Sequence, residues 1–218
     1  MGEESKMAQP NRERAEQGFT LVEIVVVIAV VLLLTGIAVP MISGYVEDGR
    51  RARAQSEVKT LAASAELFYA NTSLWPARDA AGTDNRLFVL TSGSTAVPAA
   101  NNPWLATHAW ITWAGGAQGD LMNNHLTFNQ PKGTAAAAYP MTGEVAWRGP
   151  YSEGTPLDPW GRPYIMLVRS AWDGNGTNYK RVMLLSAGPN GRIDTLQQAR
   201  STDDFRVDDI GIILHQRQ

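Results

Sequence analysis

The sequence Gly18-Phe19-Thr20-Leu21-Val22-Glu23 opens an apolar run that continues through residues 24–39. Every residue from 24 to 34 is apolar, and residues 19–39 together predict a helix of about 21 residues. At roughly 1.5 Å per residue, this helix is long enough to cross the hydrocarbon core of a bilayer. We therefore predict a membrane anchor near the start of the chain.

Glu23 is the unusual feature of this run, because an ionised carboxylate at the centre of a bilayer costs about 2.5–3.5 kcal/mol. A polar segment ends at Gly18, directly before Phe19. If the peptide bond after Gly18 is cut, Phe19 gains an ammonium group that can pair with Glu23 of a neighbouring copy. The alternative is that Glu23 lies at the headgroup level as a helix N-terminal residue, where the helix dipole favours an acid.

This order of residues resembles the cleavage and assembly motif of type IV pilins and type II secretion pseudopilins. The resemblance implies that residues 1–18 are a leader that a membrane prepilin peptidase removes before it methylates Phe19. It assigns Gly18 and Phe19 to processing, and Glu23 to the packing of subunits into a helical filament.

Residues 1–17 are polar, carry both signs of charge and predict a disordered leader. An ordinary secretory signal is the competing interpretation, because Gly36-Ile37-Ala38 resembles a small-residue cleavage site after an apolar region. Against it, Glu23 interrupts the start of that region, and the helical pattern continues through the would-be cut.

The composition fits one membrane anchor followed by one modest soluble domain. Of the 218 residues, about 140 follow the long helix, which is enough for one hydrophobic core. The net charge of −2 provides no basic field, so nucleic acid is not an obligatory partner. The chain has no cysteine, which excludes disulfide bonds and thiolate metal sites.

Residues 40–75 predict an amphipathic continuation of the helix to about Tyr69. Pro40 and Gly44 permit a local bend, and Pro76 forbids further helix. A stripe of apolar residues at helical spacing predicts the face that packs on a sheet. It consists of Val58, Leu61, Ala62, Ala65, Phe68 and Tyr69.

Residues 76–147 are rich in turn-forming residues and predict a long, variable connecting region with little regular structure. We expect its tryptophans to fold against the domain, with an exposed aromatic ligand surface as the alternative. These are Trp104, Trp110 and Trp113. The three histidines show no metal-binding spacing and are predicted to be structural or surface residues. They are His108, His125 and His215.

Residues 148–218 predict a small antiparallel sheet and a C-terminal acidic loop. Residues 164–168 and 181–186 are apolar runs on either side of a turn at 173–176, which predicts an antiparallel hairpin. The predicted fold is therefore α+β, with a long N-terminal helix packed on a small antiparallel sheet.

Motifs in the C-terminal third resemble, in order, the signature of the major pseudopilin of type II secretion. They are Trp147-Arg148-Gly149-Pro150-Tyr151, Asp158-Pro159-Trp160-Gly161-Arg162-Pro163-Tyr164, and Leu185-Ser186-Ala187-Gly188-Pro189-Asn190-Gly191 followed by Val207-Asp208-Asp209-Ile210. With the N-terminal motif, the resemblance covers residues 18–76 and 147–210. The segment between them is longer than this family usually has.

In that family the C-terminal loop binds calcium, and the resemblance carries this metal site to four residues here. Asn190 stands where the family commonly has Asp, Asp208 and Asp209 match its acidic pair, and Leu185 would supply a carbonyl oxygen. Calcium takes six to eight oxygen ligands, and this loop is the most acidic part of the soluble region. The alternative is a solvated acidic loop without a metal.

The resemblance implies a structural subunit and not an enzyme. Such a subunit forms a homopolymer, joined by minor pseudopilins, on an inner-membrane assembly platform. It crosses the bacterial inner membrane once and keeps its C-terminal domain in the periplasm. A type IV pilus subunit for adhesion, motility or DNA uptake stays open, as does a membrane-tethered hydrolase, although no nucleophile elbow is present.

Overall fold

The computed structural model describes residues 18–93, 118–168, 181–195 and 205–216. Within these ranges the chain is α+β, as predicted. It divides into two compact units, Met1–Val46 and Glu47–Gln218. The elements are α1 (Leu21–Thr72), β1 (Val89–Thr91), β2 (Gly119–Leu121), α2 (Met122–Leu126), 3₁₀ turns at Pro131–Gly133 and Ala135–Ala137, β3 (Ile165–Leu167), β4 (Arg181–Ser186) and β5 (Ile210–Gln216).

The first unit contains the apolar part of α1. Its large apolar side chains between Leu21 and Val46 are all exposed, by 47% to 80% of their surface. The helix contains an 18-residue window with a mean hydropathy of 3.0, and none of that window is buried. By length and composition, this helix can cross a membrane.

The second half of α1 supplies one wall of the core of the second unit. Five members of the predicted stripe are at most 3% exposed, which confirms the predicted packing face; they are Val58, Leu61, Ala62, Ala65 and Phe68. Tyr69 is the exception, because its partly exposed ring stacks on Trp75 with ring centroids 4.7 Å apart. The helix ends at Thr72, whose hydroxyl donates a hydrogen bond to the Phe68 carbonyl at 2.8 Å.

The sheet has five strands in the order β2-β1-β3-β4-β5. The antiparallel pairing of β3 with β4 confirms the predicted hairpin, whose turn at 173–176 lies outside the described residues. Three of the four strand pairings are antiparallel, as predicted, whereas β1 and β2 are parallel. Parallel neighbours need a connection of a dozen residues or more, and residues 92–118 provide that length.

Side chains alternate between the two faces of the sheet along the central strands, and each face packs against its own cluster of buried residues. Met166 and Leu184 join the core cluster that includes the α1 stripe. Ile165, Leu167 and Met183 join a smaller cluster on the opposite face, together with Ile193 from the chain after β4.

The described parts of residues 76–147 contain more regular structure, and contribute more to the core, than their sequence predicts. It contributes β1, β2 and α2, and its Trp147 is 7% exposed. Short strands of three residues give little periodic signal, so only their pairing identifies them. The predictions for residues 1–17, Trp104, Trp110, Trp113 and His108 lie outside the described residues.

Candidate functional site

Gly18 and Phe19 form an exposed, non-helical segment directly before α1. The Phe19 side chain is 82% exposed. A Cβ atom added to Gly18 would meet no atom of the described residues within 4 Å, so their packing does not require glycine there.

Glu23 forms a reciprocal hydrogen-bonded cap with Thr20 at the start of α1. Glu23 Oε2 accepts from the Thr20 backbone N–H at 3.2 Å and from the Thr20 hydroxyl at 3.1 Å. The Glu23 N–H donates in return to Thr20 Oγ1 at 3.2 Å. This arrangement is a capping box. Glu23 thus has a role within its own helix, which the sequence analysis considered only as a dipole effect.

The acidic loop buries the two adjacent carboxylates that the sequence analysis selected. Asp208 and Asp209 are each 9% exposed. Asp208 Oδ2 accepts from the Asn190 N–H at 2.8 Å. Asp209 Oδ2 accepts from the N–H groups of Asp194 and Thr195 at 2.8 and 2.6 Å. The Oδ1 atoms of both aspartates are buried and have no hydrogen-bond partner among the described residues.

The other two predicted calcium ligands, Asn190 and Leu185, do not share the surroundings of the two aspartates. The Asn190 side chain donates to Asp194 Oδ2 at 2.8 Å and accepts from the Arg192 N–H at 2.6 Å. Leu185 is buried in β4, opposite Gly211 of β5. Among the described residues, no three His, Asp or Glu side chains are grouped as a metal site.

Burial raises the pKa of Asp209 to about 6, against hydrogen bonds from Thr195 and Asp194 that favour the ionised form. An ionised Asp209 is therefore costly in this loop. A cation next to its free Oδ1 atom would offset that cost.

The turn at residues 158–162 lies outside the acidic loop and holds the first residues of that loop in place. Asp158 is buried and its Oδ2 accepts from the Ser186 hydroxyl at 2.6 Å, at the end of β4. The Arg162 guanidinium donates to the Gly188 carbonyl at 2.6 Å. These two contacts tie residues 158–162 to residues 186–188 and so position the loop.

Comparison with known proteins identifies the N-terminal segment. Residues 14–39 match the prokaryotic N-terminal methylation motif. This match includes Gly18, Phe19 and Glu23, the residues at the exposed start of the apolar helix. The N-terminal segment of the chain therefore carries this motif.

Curated relatives of the chain fall into two groups. The type II secretion system core protein G of Dickeya chrysanthemi is 25% identical over 183 residues, which are 84% of each chain. Two fimbrial proteins of Pseudomonas aeruginosa are 40% identical over 53 residues, which are 24% of this chain and 34% of theirs. No solved structure matches the chain.

The chain also contains a buried polar network that its sequence does not indicate. His125 is fully buried, and its Nδ1 atom lies 2.8 Å from the Tyr139 hydroxyl and its Nε2 atom 3.0 Å from Asp120 Oδ2. The Arg78 backbone N–H donates to the same Tyr139 oxygen at 3.3 Å. Tyr139 therefore donates its own proton to His125 Nδ1, and His125 donates Nε2–H to Asp120.

Burial lowers the pKa of His125 despite the nearby Asp120, and Arg78 and Lys132 lower it further, so the imidazole is neutral. The pKa of Asp120 is also lowered, because hydrogen bonds from His125, Lys132 and Leu121 outweigh the effect of burial. His125 is thus structural, as predicted. A histidine enclosed in this way cannot act on a substrate, which removes it as a candidate for the hydrolase alternative.

Proposed function

We propose that this pilin-like chain is a structural subunit of a type II secretion pseudopilus, which polymerises after cleavage behind Gly18. The observation that supports a polymer is the exposed apolar surface of α1 up to Val46. An apolar surface of this extent needs lipid or other apolar helices around it. Lipid covers it in the membrane-anchored subunit, and the helices of other copies cover it in the filament.

The breadth of the similarity to core protein G favours the pseudopilus over a pilus. That similarity extends over most of both chains, whereas the similarity to the fimbrial proteins covers about a quarter of this one. A type IV pilus subunit, with a role in adhesion, motility or DNA uptake, is the second candidate because of those fimbrial relatives.

The proposed assembly pathway uses the membrane, the leader and several partners. A prepilin peptidase removes residues 1–18 at the inner membrane and methylates Phe19. An inner-membrane assembly platform then adds subunits, with minor pseudopilins, while the second unit lies in the periplasm. Growth of the homopolymer helps to drive protein export, and the chain itself performs no catalysis.

The first test concerns processing. We expect Gly18→Ala to remain uncut and to abolish filament formation, since Gly18 has no packing role that the substitution would disturb. The measurement is the mass of the mature chain beside secretion of an endogenous exported protein. Gly154→Ala is a matched control, because a Cβ there also meets nothing within 4 Å. A fully trimmed Gly18→Ala chain would contradict the proposed processing site.

We also propose a structural calcium ion in the acidic loop. The Oδ1 atoms of Asp208 and Asp209 are buried without a hydrogen-bond partner in the described part of the chain, and they fit a hard cation, which prefers carboxylate oxygens. Asn190 and the Leu185 carbonyl are the further ligands that the sequence resemblance suggests. Bound calcium would neutralise the two buried carboxylates.

Calcium should raise the melting temperature of the wild-type chain. Saturation to about 100 times the dissociation constant corresponds to about 2.7 kcal/mol. We expect Asp209→Asn to lose this response, yet to be at least as stable as wild type in chelator, because it removes a buried charge. Asp84→Asn, on an ion pair with Arg78, is the control that keeps the calcium response. An unchanged melting curve for wild type in calcium would reject the site.

A further inference from the structure

The apolar part of α1 ends at Val46, and the next residue, Glu47, is held by a tryptophan from a distant part of the chain. Trp160 Nε1–H donates to Glu47 Oε2 at 3.3 Å. Trp160 lies in the turn that Asp158 organises, where Asp158 Oδ1 accepts from the N–H groups of Trp160 and Arg162 at 3.1 and 2.8 Å. The indole is therefore fixed one residue beyond the apolar segment.

Two arginines lie on the same face of α1 as Glu47, at the i+3 and i+4 positions. The side chains of Arg50 and Arg51 are 49% and 41% exposed. Their nitrogens lie 4.0 and 3.6 Å from the Glu47 carboxylate, which is longer than a direct hydrogen bond. Both guanidinium groups therefore keep donors available for an external anion.

The length of the apolar segment places this junction at a membrane surface. The part of α1 from Leu21 to Val46 spans about 39 Å, and the non-helical Phe19 and Thr20 precede it. A bilayer measures about 40–45 Å when its headgroup regions are included. If Phe19 lies at one surface, Glu47 lies at the other. Tryptophan is enriched at that level, where its ring can be both apolar and hydrogen-bonded.

We propose that Trp160, Arg50 and Arg51 form a docking surface for phospholipid headgroups, which we name the headgroup collar. The indole inserts among the headgroups and the guanidinium groups bind lipid phosphates. The collar would hold the base of the second unit on the bilayer while the subunit awaits assembly. The inference rests on the membrane-anchored part of the proposed function.

The test uses the full chain, labelled with 5-fluorotryptophan and reconstituted at one copy per phospholipid nanodisc. Headgroup-nitroxide lipid is added, and ¹⁹F line widths are measured. The chain has seven tryptophans, and the variants Trp160→Phe and Trp75→Phe identify the resonances of these two. We expect strong broadening of the Trp160 signal and none of Trp75, which follows the end of α1 at Thr72, about 38 Å along the helix from Glu47.

A second experiment removes the two arginine charges. It distinguishes binding of lipid headgroups by the arginines from simple closeness of Trp160 to the bilayer. In the double variant Arg50→Gln with Arg51→Gln, the Trp160 broadening should fall severalfold. Arg53→Gln is the matched control, because Arg53 lies on another face of the same helix and pairs with Glu57 at 2.8 Å. Equal broadening in the wild type and the double variant would overturn the role of the arginines.

An insertion control distinguishes failure of the collar from failure of the anchor. Because the chain has no cysteine, Val31→Cys carries a single trifluoromethyl label within the apolar segment. Broadening of that label by acyl-chain nitroxide shows insertion. Insertion with an unaffected Trp160 signal would overturn the collar alone, and no insertion would overturn the membrane anchor as well. Protection of Trp160 only in discs with several copies would assign the surface to a second copy instead.

Discussion

Glu23→Gln is expected to be cleaved after Gly18 like wild type and yet to form almost no filament. The substitution keeps an acceptor for the Thr20 cap but removes the charge. An unpaired carboxylate in the bilayer costs about 2.5–3.5 kcal/mol, and pairing with the Phe19 ammonium of a neighbour would recover it. Loss of that gain corresponds to roughly a hundredfold weaker assembly, since about 1.4 kcal/mol is tenfold.

Thr20→Ala is the matched control for this experiment, because it removes the cap and keeps the charge. Loss of a helix N-cap costs about 1 kcal/mol, so we expect a small effect on the filament. The yield of sheared filament and the mass of the processed subunit are measured for both variants. Abundant filament from Glu23→Gln, with little from Thr20→Ala, would show that Glu23 acts as a helix cap and not as an assembly charge.

Asp120→Ala is expected to lower the free energy of unfolding of the second unit by about 3–5 kcal/mol, because each buried donor left without an acceptor costs about 1–3 kcal/mol. Asp120 accepts hydrogen bonds from several buried or half-buried donors that would lose their acceptor. They are the N–H groups of Leu121 and Lys132 at 2.8 and 2.5 Å, the Asn124 amide at 2.6 Å, and His125 Nε2 at 3.0 Å.

Denaturant unfolding of the full chain in detergent, with hydrogen exchange of residues 118–139, measures this effect. Asp84→Ala breaks an ion pair with Arg78 whose aspartate is 34% exposed, and it should cost less than Asp120→Ala. If both variants unfold at the same denaturant concentration, the Asp120 network contributes no more than this ion pair.

The same network should make the second unit sensitive to acid. The folded state lowers the pKa of His125 below its ordinary value of 6.5, so protons bind the unfolded state better. The contribution of neutral His125 is complete above pH 6.5 and is lost as the pH falls below it. The raised pKa of Asp209 acts in the opposite direction between its ordinary value of 3.8 and about 6. Comparison of wild type with His125→Gln isolates the effect of the histidine, because Asp209 is present in both proteins. The difference between their free energies of unfolding should become smaller at acid pH.

Periodic segments of this chain were predictable because their signal is local. The α1 stripe repeats at helical spacing, and four of its members from Val58 to Ala65 are buried in that pattern. The β3–β4 hairpin was predictable from two apolar runs. The β1 and β2 strands were not, since three-residue strands are defined by the partner they meet and not by their own sequence.

The candidate sites divide in the same way. Gly18, Phe19 and Glu23 lie within six consecutive residues, so the resemblance of one short motif to a known family predicted processing and assembly there. The network of Asp120, His125 and Tyr139 gave no such signal, because it joins β2, α2 and a loop through contacts that only the fold creates. The only clue was a lone histidine in a turn-rich region.

The sequence by itself determined that this chain has an apolar helix that must leave water, because an uninterrupted apolar run has no other stable environment. It also determined which face of the continuing helix packs on the sheet. Only the tertiary structure decided which acidic side chains are buried and which tryptophan binds Glu47, the residue after the apolar segment. Burial of Asp209 and the bond from Trp160 to Glu47 depend on residues far apart in the chain, and their approach is set by the packing of the whole second unit.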